Sequence, residues 1–347
     1  MKENLLKKLI CPACASEELN VECKQKNDTE IREGSICCQK CREVFPINAG
    51  ITNLLYRIPQ DVECEKKAMN EKVYYVTSDK KEGFTVTEDA IQKYQQILLS
   101  LPEGDGSPIF CCGGSLQNQA ENASRFYKSV DELNLTGNED ILEVGASFGW
   151  GSREFAKKGC NVVALDITDF LCTSDLYFKQ QSIYFDRILG DMNKLPFKTA
   201  SFDIVFANTV LHHCMDLETI YRELLRVLKK GGKIVALGEC SLGVFEDRNN
   251  KAFLPGKEEG RQEKAFRLYE WLHMAKRAGA QKVCLSFFSN IDDYIDKKIK
   301  RGKANSKKVI IAQFIKKHHF LEILFHYLTY TYRWLFRPGN WKIECYK

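Results

Sequence analysis

Four cysteines in two pairs are the first residues whose spacing points to chemistry. Cys11-Pro-Ala-Cys14 and Cys38-Gln-Lys-Cys41 are separated by 23 residues. A C-x-x-C step bends the backbone so that both sulfurs of a pair reach one ion, and two such knuckles complete the tetrahedral shell that zinc takes. Between them Leu19, Val21, Ile31 and Ile36 supply apolar residues for two short strands. So small a module lacks a self-sufficient core, so metal binding is expected to supply much of its stability. Cys37 lies next to Cys38 and offers a competing thiolate; the hydrophobic run after the second knuckle decides for Cys38.

A second constellation begins at residue 140. Asp140 to Gly145 reads as a short apolar strand, Ala146-Ser147-Phe148-Gly149-Trp150-Gly151 as a glycine-bearing turn, and Ser152 to Lys158 as a helix. A strand that ends in such a turn and feeds a helix lets backbone amides approach a ligand closely. Gly159-Cys160 ends the helix, Asn161 to Leu165 forms a second strand, and Asp166 stands at its tip. Asp166 lies 21 positions beyond Gly145, the usual separation for an acid that accepts ribose hydroxyls. A dinucleotide-binding dehydrogenase shares these features, so the downstream sequence must arbitrate.

Downstream come Gly190-Asp191-Met192-Asn193-Lys194-Leu195-Pro196-Phe197, then Ser201-Phe202-Asp203-Ile204-Val205-Phe206-Ala207-Asn208, then Leu211-His212-His213. An amphipathic helix follows from Leu217 to Leu228, burying Ile220, Leu224 and Leu228, and stops at Lys229-Lys230-Gly231-Gly232. Lys233 to Leu237 is the next strand, Gln281 to Phe287 the sixth and Trp341 to Tyr346 the seventh. From Glu139 to Glu239 this order of pieces resembles the class I methyltransferases that use S-adenosyl-L-methionine (SAM). The resemblance implies an α/β fold: a seven-stranded Rossmann-like sheet of six parallel strands and one antiparallel strand.

By position, that resemblance gives Glu143 and the loop containing Gly145, Ala146 and Gly149 the methionine end of SAM. Asp166 would take the ribose, Ile167 would lie beside the adenine, Asp191 would bond its amino group, Met192 would pack near its ring, and Asn208 would close the floor. The family's turn reads G-x-G-x-G, and Ser147 replaces the middle glycine here. Leu142, Val144, Val163, Val205 and Phe206 read as core. Methyl transfer depends on positioning and on deprotonating the acceptor. His213 and Glu239, at the tips of the fourth and fifth strands, are the candidate bases; a packing or backbone-capping role is the plainer reading of His213.

The N-terminal run Cys38-x-x-Cys41-x-x-x-Phe45-Pro46-Ile47-Asn48-Ala49-Gly50-Ile51 resembles the zinc-ribbon domain of the small activator subunit that partners several RNA and protein methyltransferases. The resemblance implies a structural zinc, since all four ligand positions are filled by protein.

These readings divide the chain into a zinc ribbon at 1–55, a linker with cofactor-covering helices at 56–138, and a methyltransferase domain at 139–347. The linker reads as polar and irregular, with a charged patch at Glu63 to Lys67. Helices are expected at Glu88 to Leu99, with Ile91, Tyr94 and Leu98 on one face, and at Ala120 to Leu133. Pro102, Gly104, Gly106 and Pro108 mark a loop, and Cys111 and Cys112 are loop thiols. An insertion at about 288–340 falls between the last two strands and is expected to project over the substrate mouth. Lys297, Lys298, Lys300, Arg301, Lys303, Lys307 and Lys308 crowd its first part, and apolar and aromatic residues fill Val309 to Ile315 and Phe320 to Phe336. A solvated basic loop with a packed helix, a membrane-surface segment over 297–336 meeting anionic lipid, and an RNA contact are the three readings.

With 347 residues, 15 cysteines and a net charge of +5, a disulfide framework is not expected. Met1 to Ile10 carries no apolar run of signal-peptide length. A reducing, cytoplasmic setting fits, peripheral to a membrane if the insertion meets lipid. No stretch of ~20 uninterrupted apolar residues is present, so no spanning helix is expected. The function expected is methylation of a small-molecule, glycan or lipid-linked acceptor, at oxygen. An RNA methyltransferase is the competing enzyme, although Asn208-Thr209-Val210-Leu211 lacks the N-P-P-Y-type motif that seats base amines. A non-catalytic SAM-binding or zinc-ribbon adaptor is the alternative of another class.

Overall fold

The computed structural model describes residues 1–71, 73–76, 81–84, 86–102, 109–110, 116–214, 216–239, 241–247, 264–287, 295, 298–299, 302, 305–336 and 341–347. Gly104, Gly106, Pro108, Cys111, Cys112, Lys297, Lys300, Arg301 and Lys303 lie outside the described residues. The N-terminal strands are β1 (Leu19–Lys26), β2 (Ile31–Cys38), β3 (Val44–Asn48) and β4 (Ile51–Asn53). The next segment holds α1 (Gln60–Glu71), β5 (Val73–Val76), β6 (Lys81–Phe84), α2 (Glu88–Lys93), α3 (Gln95–Ser100), β7 (Ile109–Phe110) and α4 (Leu116–Glu132). Then follow β8 (Asp140–Val144), α5 (Trp150–Lys157), β9 (Asn161–Asp166), α6 (Asp175–Gln181), β10 (Asp186–Leu189), β11 (Phe202–Asn208), α7 (Leu217–Val227) and β12 (Leu228–Leu237). The chain closes with β13 (Ser241–Leu242), β14 (Phe266–Arg267), α8 (Leu268–Arg277), β15 (Lys282–Phe287), α9 (Lys307–Lys317), α10 (His319–Phe336) and β16 (Trp341–Tyr346).

One sheet organises the molecule, in the order β1-β2-β3-β4-β10-β9-β8-β11-β12-β16-β15. From β10 to β12 neighbouring strands are parallel, and β16 runs antiparallel to both β12 and β15. The mostly parallel sheet agrees with expectation, but its strand count does not: eleven strands, not seven. The reason is an edge. β4 pairs in parallel with β10, Ile51 opposite Arg187 and Asn53 opposite Leu189, so the N-terminal hairpins cover backbone groups that β10 would otherwise leave unpaired.

The central strands are buried on both faces, as parallel strands are when elements pack on either side. Leu142, Val144, Val163, Leu165, Val205 and Ala207 face one core. Ile141, Val162, Ala164, Ile204 and Phe206 face the other. Leu5, Leu9, Ile31, Ile36, Phe45 and Ile47 of the N-terminal module belong to the first core, which makes that module part of the sheet's own packing. Charge reinforces the seam. Arg187, fully buried on β10, contacts Glu30 Oε1 at 3.0 Å and Asp175 Oδ1 at 2.6 Å, and Arg32 bridges the same two acids at 2.6 and 2.8 Å.

Two local readings change. Residues 60–71, read as irregular because their apolar content is low, form α1. The helix expected over Glu88 to Leu99 is broken at Tyr94, whose backbone leaves helical geometry (ψ 14°). Tyr94, Ile97 and Leu98 pack there against Phe148 and Phe170, so tertiary contact overrides the continuous helical pattern. Thr87 caps α2 by accepting the Ala90 amide at 3.2 Å, and Asp216 caps α7 by accepting the Thr219 amide at 2.7 Å.

Candidate functional site

A cavity of about 290 Å³ lies across the carboxyl ends of the central strands, where parallel α/β sheets bind ligands. Gly145 and Ser147 after β8, Asp166 and Ile167 at the end of β9, Gly190 to Asn193 after β10, and Asn208 to Val210 with His213 after β11 form its floor. Val62, Glu65 and Met69 of α1 and Leu101 with Pro102 after α3 form its cover. Buried Arg153 fixes part of that cover, donating to the Leu99 carbonyl at 2.6 Å and to the Leu101 carbonyl.

The loop after β8 is shaped by backbone conformation. Gly145 has φ +68°, and a Cβ there would stand 2.2 Å from Val210 Cγ2, so this position must stay bare. Ser147 also takes a positive φ, +50°, at a steric cost of ~1–2 kcal/mol that glycine would not incur. Its amide donates to Asp166 Oδ2 at 2.7 Å. Asp166 Oδ1 accepts the Thr168 amide at 2.8 Å and the Thr168 hydroxyl at 2.7 Å. Burial pushes the Asp166 carboxyl above its ordinary range, and these donors act against that shift. Asp191 Oδ1 accepts both the amide and the side-chain nitrogen of Asn193 at 2.8 Å, closing the turn that carries Met192.

Not every residue assigned from sequence reaches the cavity. Gly145, Asp166, Ile167, Asp191, Met192, Asn208 and His213 line it, whereas Glu143, Ala146, Gly149 and Glu239 do not. Glu143 lies beneath the loop, accepting the Ser152 hydroxyl at 2.5 Å, with burial raising its carboxyl to about 8. Gly151 sits directly over it, where a Cβ would meet Glu143 Oε1 at 2.2 Å. Gly149 instead starts α5 in a left-handed conformation, φ +74°.

Glu239 differs most from expectation. It is buried, and its two oxygens are fully occupied: Oε1 accepts the Val210 and Leu211 amides at 3.0 Å, and Oε2 accepts the His212 amide at 3.1 Å and contacts His212 Nδ1 at 2.8 Å. A carboxylate so engaged holds the turn 210–213 and is not available as a base. His213 is available at the rim. Its Nδ1 lies 2.7 Å from Glu65 Oε1, short but without hydrogen-bond alignment, and its ring packs 4.2 Å from that of His212. Glu65, Val62 and Met69 were missed from sequence. Their spacing of three and four residues marks one helix face, but Glu65 sits within the charged patch Glu63 to Lys67, which carries no signal of which acid faces inward.

The four cysteines converge. Cys11 and Cys41 sulfurs stand 3.5 Å apart, Cys14 and Cys38 sulfurs 3.6 Å apart, and all four lie within 4.8 Å of one another. These separations exceed a disulfide bond of about 2.05 Å and match a tetrahedral thiolate shell, whose sulfurs at ~2.3 Å from an ion fall about 3.8 Å apart. Cys37 points elsewhere, 3.8 Å from the Ser35 hydroxyl. The first knuckle abuts the site: Lys194 donates to the Pro12 carbonyl at 2.8 Å and the Ile10 amide to the Pro196 carbonyl at 3.0 Å.

Residues 142–236 match the family model described as a methyltransferase domain. The sterol 24-C-methyltransferase of Saccharomyces cerevisiae is 35% identical over 114 residues, 32% of this chain and 30% of that protein. A malonyl-[acyl-carrier protein] O-methyltransferase of Serratia marcescens is 32% identical over 127 residues, 34% of this chain and 49% of that protein. The chain thus spans about half or less of the length of these relatives. Among solved structures, phosphoethanolamine N-methyltransferase 2 of Haemonchus contortus in complex with S-adenosyl-L-methionine has 17% identity and a TM-score of 0.47, covering 77% of this chain and 62% of that one. Over residues 142–236, therefore, the chain carries a methyltransferase domain.

Proposed function

We propose that this protein transfers a methyl group from SAM to an oxygen of a small-molecule, glycan or lipid-linked acceptor. The observation that carries the reading is a covered cavity at the strand ends that combines a buried acid, Asp166, with apolar walls from Ile167, Met192 and Phe170. That combination fits a ligand with a polar sugar and a flat apolar base. The sterol and acyl-carrier names of the two relatives support an acceptor of lipid or carrier-borne type.

Asp166 is assigned the ribose hydroxyls, Ile167 and Met192 the two faces of the adenine, and Asp191 its amino group. The bare backbone at Gly145 and the side chain of Asn208 border the methionine end, while Glu143 supports the loop from below. Bound SAM supplies an electrophilic methyl group on a sulfonium. The chain's own tasks are to exclude water, through Val62 and Met69 on α1, and to take the acceptor's proton. His213 is assigned that proton, with the Glu65 carboxylate 2.7 Å from Nδ1 placed to stabilise the charge the imidazole gains. Glu239 serves by fixing the turn that carries His213. Cys11, Cys14, Cys38 and Cys41 are assigned a structural zinc ion, which elemental analysis would find at one equivalent per chain.

The test is titration calorimetry of the zinc-loaded protein with SAM. Binding heat that Asp166→Ala abolishes supports the reading. No heat with the native chain, or unchanged heat with Asp166→Ala, overturns it.

A further inference from the structure

The helices α9 and α10 present a surface that neither the cavity nor the sheet uses. On α10, Phe320, Ile323, Leu324, Tyr327 and Leu328 follow the spacing i, i+3, i+4, i+7, i+8, which normally marks the face a helix buries. Here all five are between 42% and 74% exposed. On α9, Ile310, Ile311 and Phe314 are each more than half exposed. A contiguous apolar stripe of this size marks an interaction site.

The hairpin is nonetheless anchored. Phe325 packs with Val309, Ala312 and Ile315, and Tyr330 sets its ring edge on Phe287 at 4.9 Å. The Leu335 carbonyl accepts the Phe245 amide at 3.2 Å. Phe245 lies just beyond Glu239, whose carboxylate holds the turn at the cavity rim. The stripe is therefore carried at the same edge of the sheet as the cavity.

Charge selects the occupant. Over residues 307–336, Lys307, Lys308, Lys316 and Lys317 stand against a single acid, Glu322, while Arg333 is turned inward over the Phe287 ring. A second copy would bring these cations against their own kind, and RNA could pair with the lysines and stack bases on Phe320 and Tyr327 but would leave the aliphatic Ile310, Ile311, Ile323, Leu324 and Leu328 in water. An anionic lipid surface satisfies both features: acyl chains accept the apolar face and headgroups the lysines. Among the described residues no helix is long and apolar enough to cross a membrane, so α10 would lie in the interface plane. We propose that α9 and α10 dock the protein on an anionic membrane surface, with the mouth of the cavity turned towards the lipid headgroups. This rests on the helices themselves and not on the identity of the acceptor.

Co-sedimentation of the full chain with vesicles tests it, using phosphatidylcholine alone and phosphatidylcholine mixed with phosphatidylglycerol. The native protein is expected to sediment with the mixed vesicles and to be released by salt. Lys308→Ala with Lys317→Ala should lower the partition roughly 25-fold, at about fivefold per lysine. Phe320→Asp with Tyr327→Asp should lower it by at least about tenfold; these side chains are 74% and 68% exposed, so the fold is retained, as circular dichroism would verify. Native protein that stays in the supernatant, or partition unchanged by Phe320→Asp with Tyr327→Asp, overturns the proposal. So does a dimer, or an RNA complex, that this double variant disrupts in a chain without vesicle binding.

Discussion

Replacing Arg187 by methionine tests whether the N-terminal module and the sheet form one cooperative unit. The guanidinium is fully buried and donates to Glu30 Oε1 at 3.0 Å, to Asp175 Oδ1 at 2.6 Å and to the Ala49 carbonyl at 2.9 Å. Burial alone would lift the Glu30 and Asp175 carboxyls; Arg187 and Arg32, joined at Glu30 by the Met1 ammonium at 3.1 Å, outweigh it and hold both below their ordinary values. Methionine fills similar space but leaves Glu30 nearly buried with less compensating charge. Breaking a buried pair by removing one partner costs about 3–5 kcal/mol, a large part of a total stability of about 5–15 kcal/mol. Because both folded-state values are depressed, the contribution is fully present above the unfolded values of 4.5 and 3.8 and fades as pH falls through the folded ones. Urea denaturation of the zinc-loaded protein should show the full loss at neutral pH and a narrowing gap between native and variant on acidification. Arg32 and the Met1 ammonium still face Glu30 in that variant, so Glu30→Gln added to Arg187→Met should cost less than the sum of the two single losses, both substitutions breaking the same pair. A loss below about 1 kcal/mol, the range of exposed ion pairs, would refute the reasoning.

Two further outcomes follow from the site. Glu143 has its carboxyl raised from 4.5 to about 8, so the ligand-free native protein should lose stability as pH rises between those values, the folded state then holding a proton the unfolded chain has released; Glu143→Gln should flatten that slope in urea denaturation, and an unchanged slope would count against the buried acid as its source. His213→Gln should lower kcat by about 10²–10⁴-fold once an acceptor is in hand, with SAM binding heat retained, and Glu65→Gln should give a smaller loss. If the two act as a unit, the double variant falls no further than His213→Gln alone; additive losses would separate them.

Local chemistry was legible where it depended on neighbours in the chain. The C-x-x-C pairs, the glycine-bearing turn and Asp166 at a strand tip are features of short segments, and the structure brings Cys11, Cys14, Cys38 and Cys41 together and sets Asp166 in the cavity wall. The amphipathic helix that is α7 and the apolar runs of β8, β9 and β11 were likewise written in local pattern. Side-chain direction was harder to read. Glu239 stands at the strand tip where a base was expected, but whether its oxygens face the cavity or four groups of the 210–213 turn depends on the path of a different loop. Glu65 is the converse, an acid in a weakly apolar helix that gains meaning only because α1 folds over His213.

The sequence by itself determined the pieces and their order: the metal-ligand spacing, the strand–turn–helix unit with its acid, and the apolar and aromatic run over Phe320 to Phe336. Tertiary structure alone decided what those pieces meet. The parallel pairing of Ile51 with Arg187 joins residues far apart in the chain and extends the sheet to eleven strands. An apolar residue announces that it needs a partner, not which one, so the sequence showed Phe320 to Phe336 rich in apolar and aromatic residues and only the fold showed Phe320, Tyr327 and Leu328 left open to solvent.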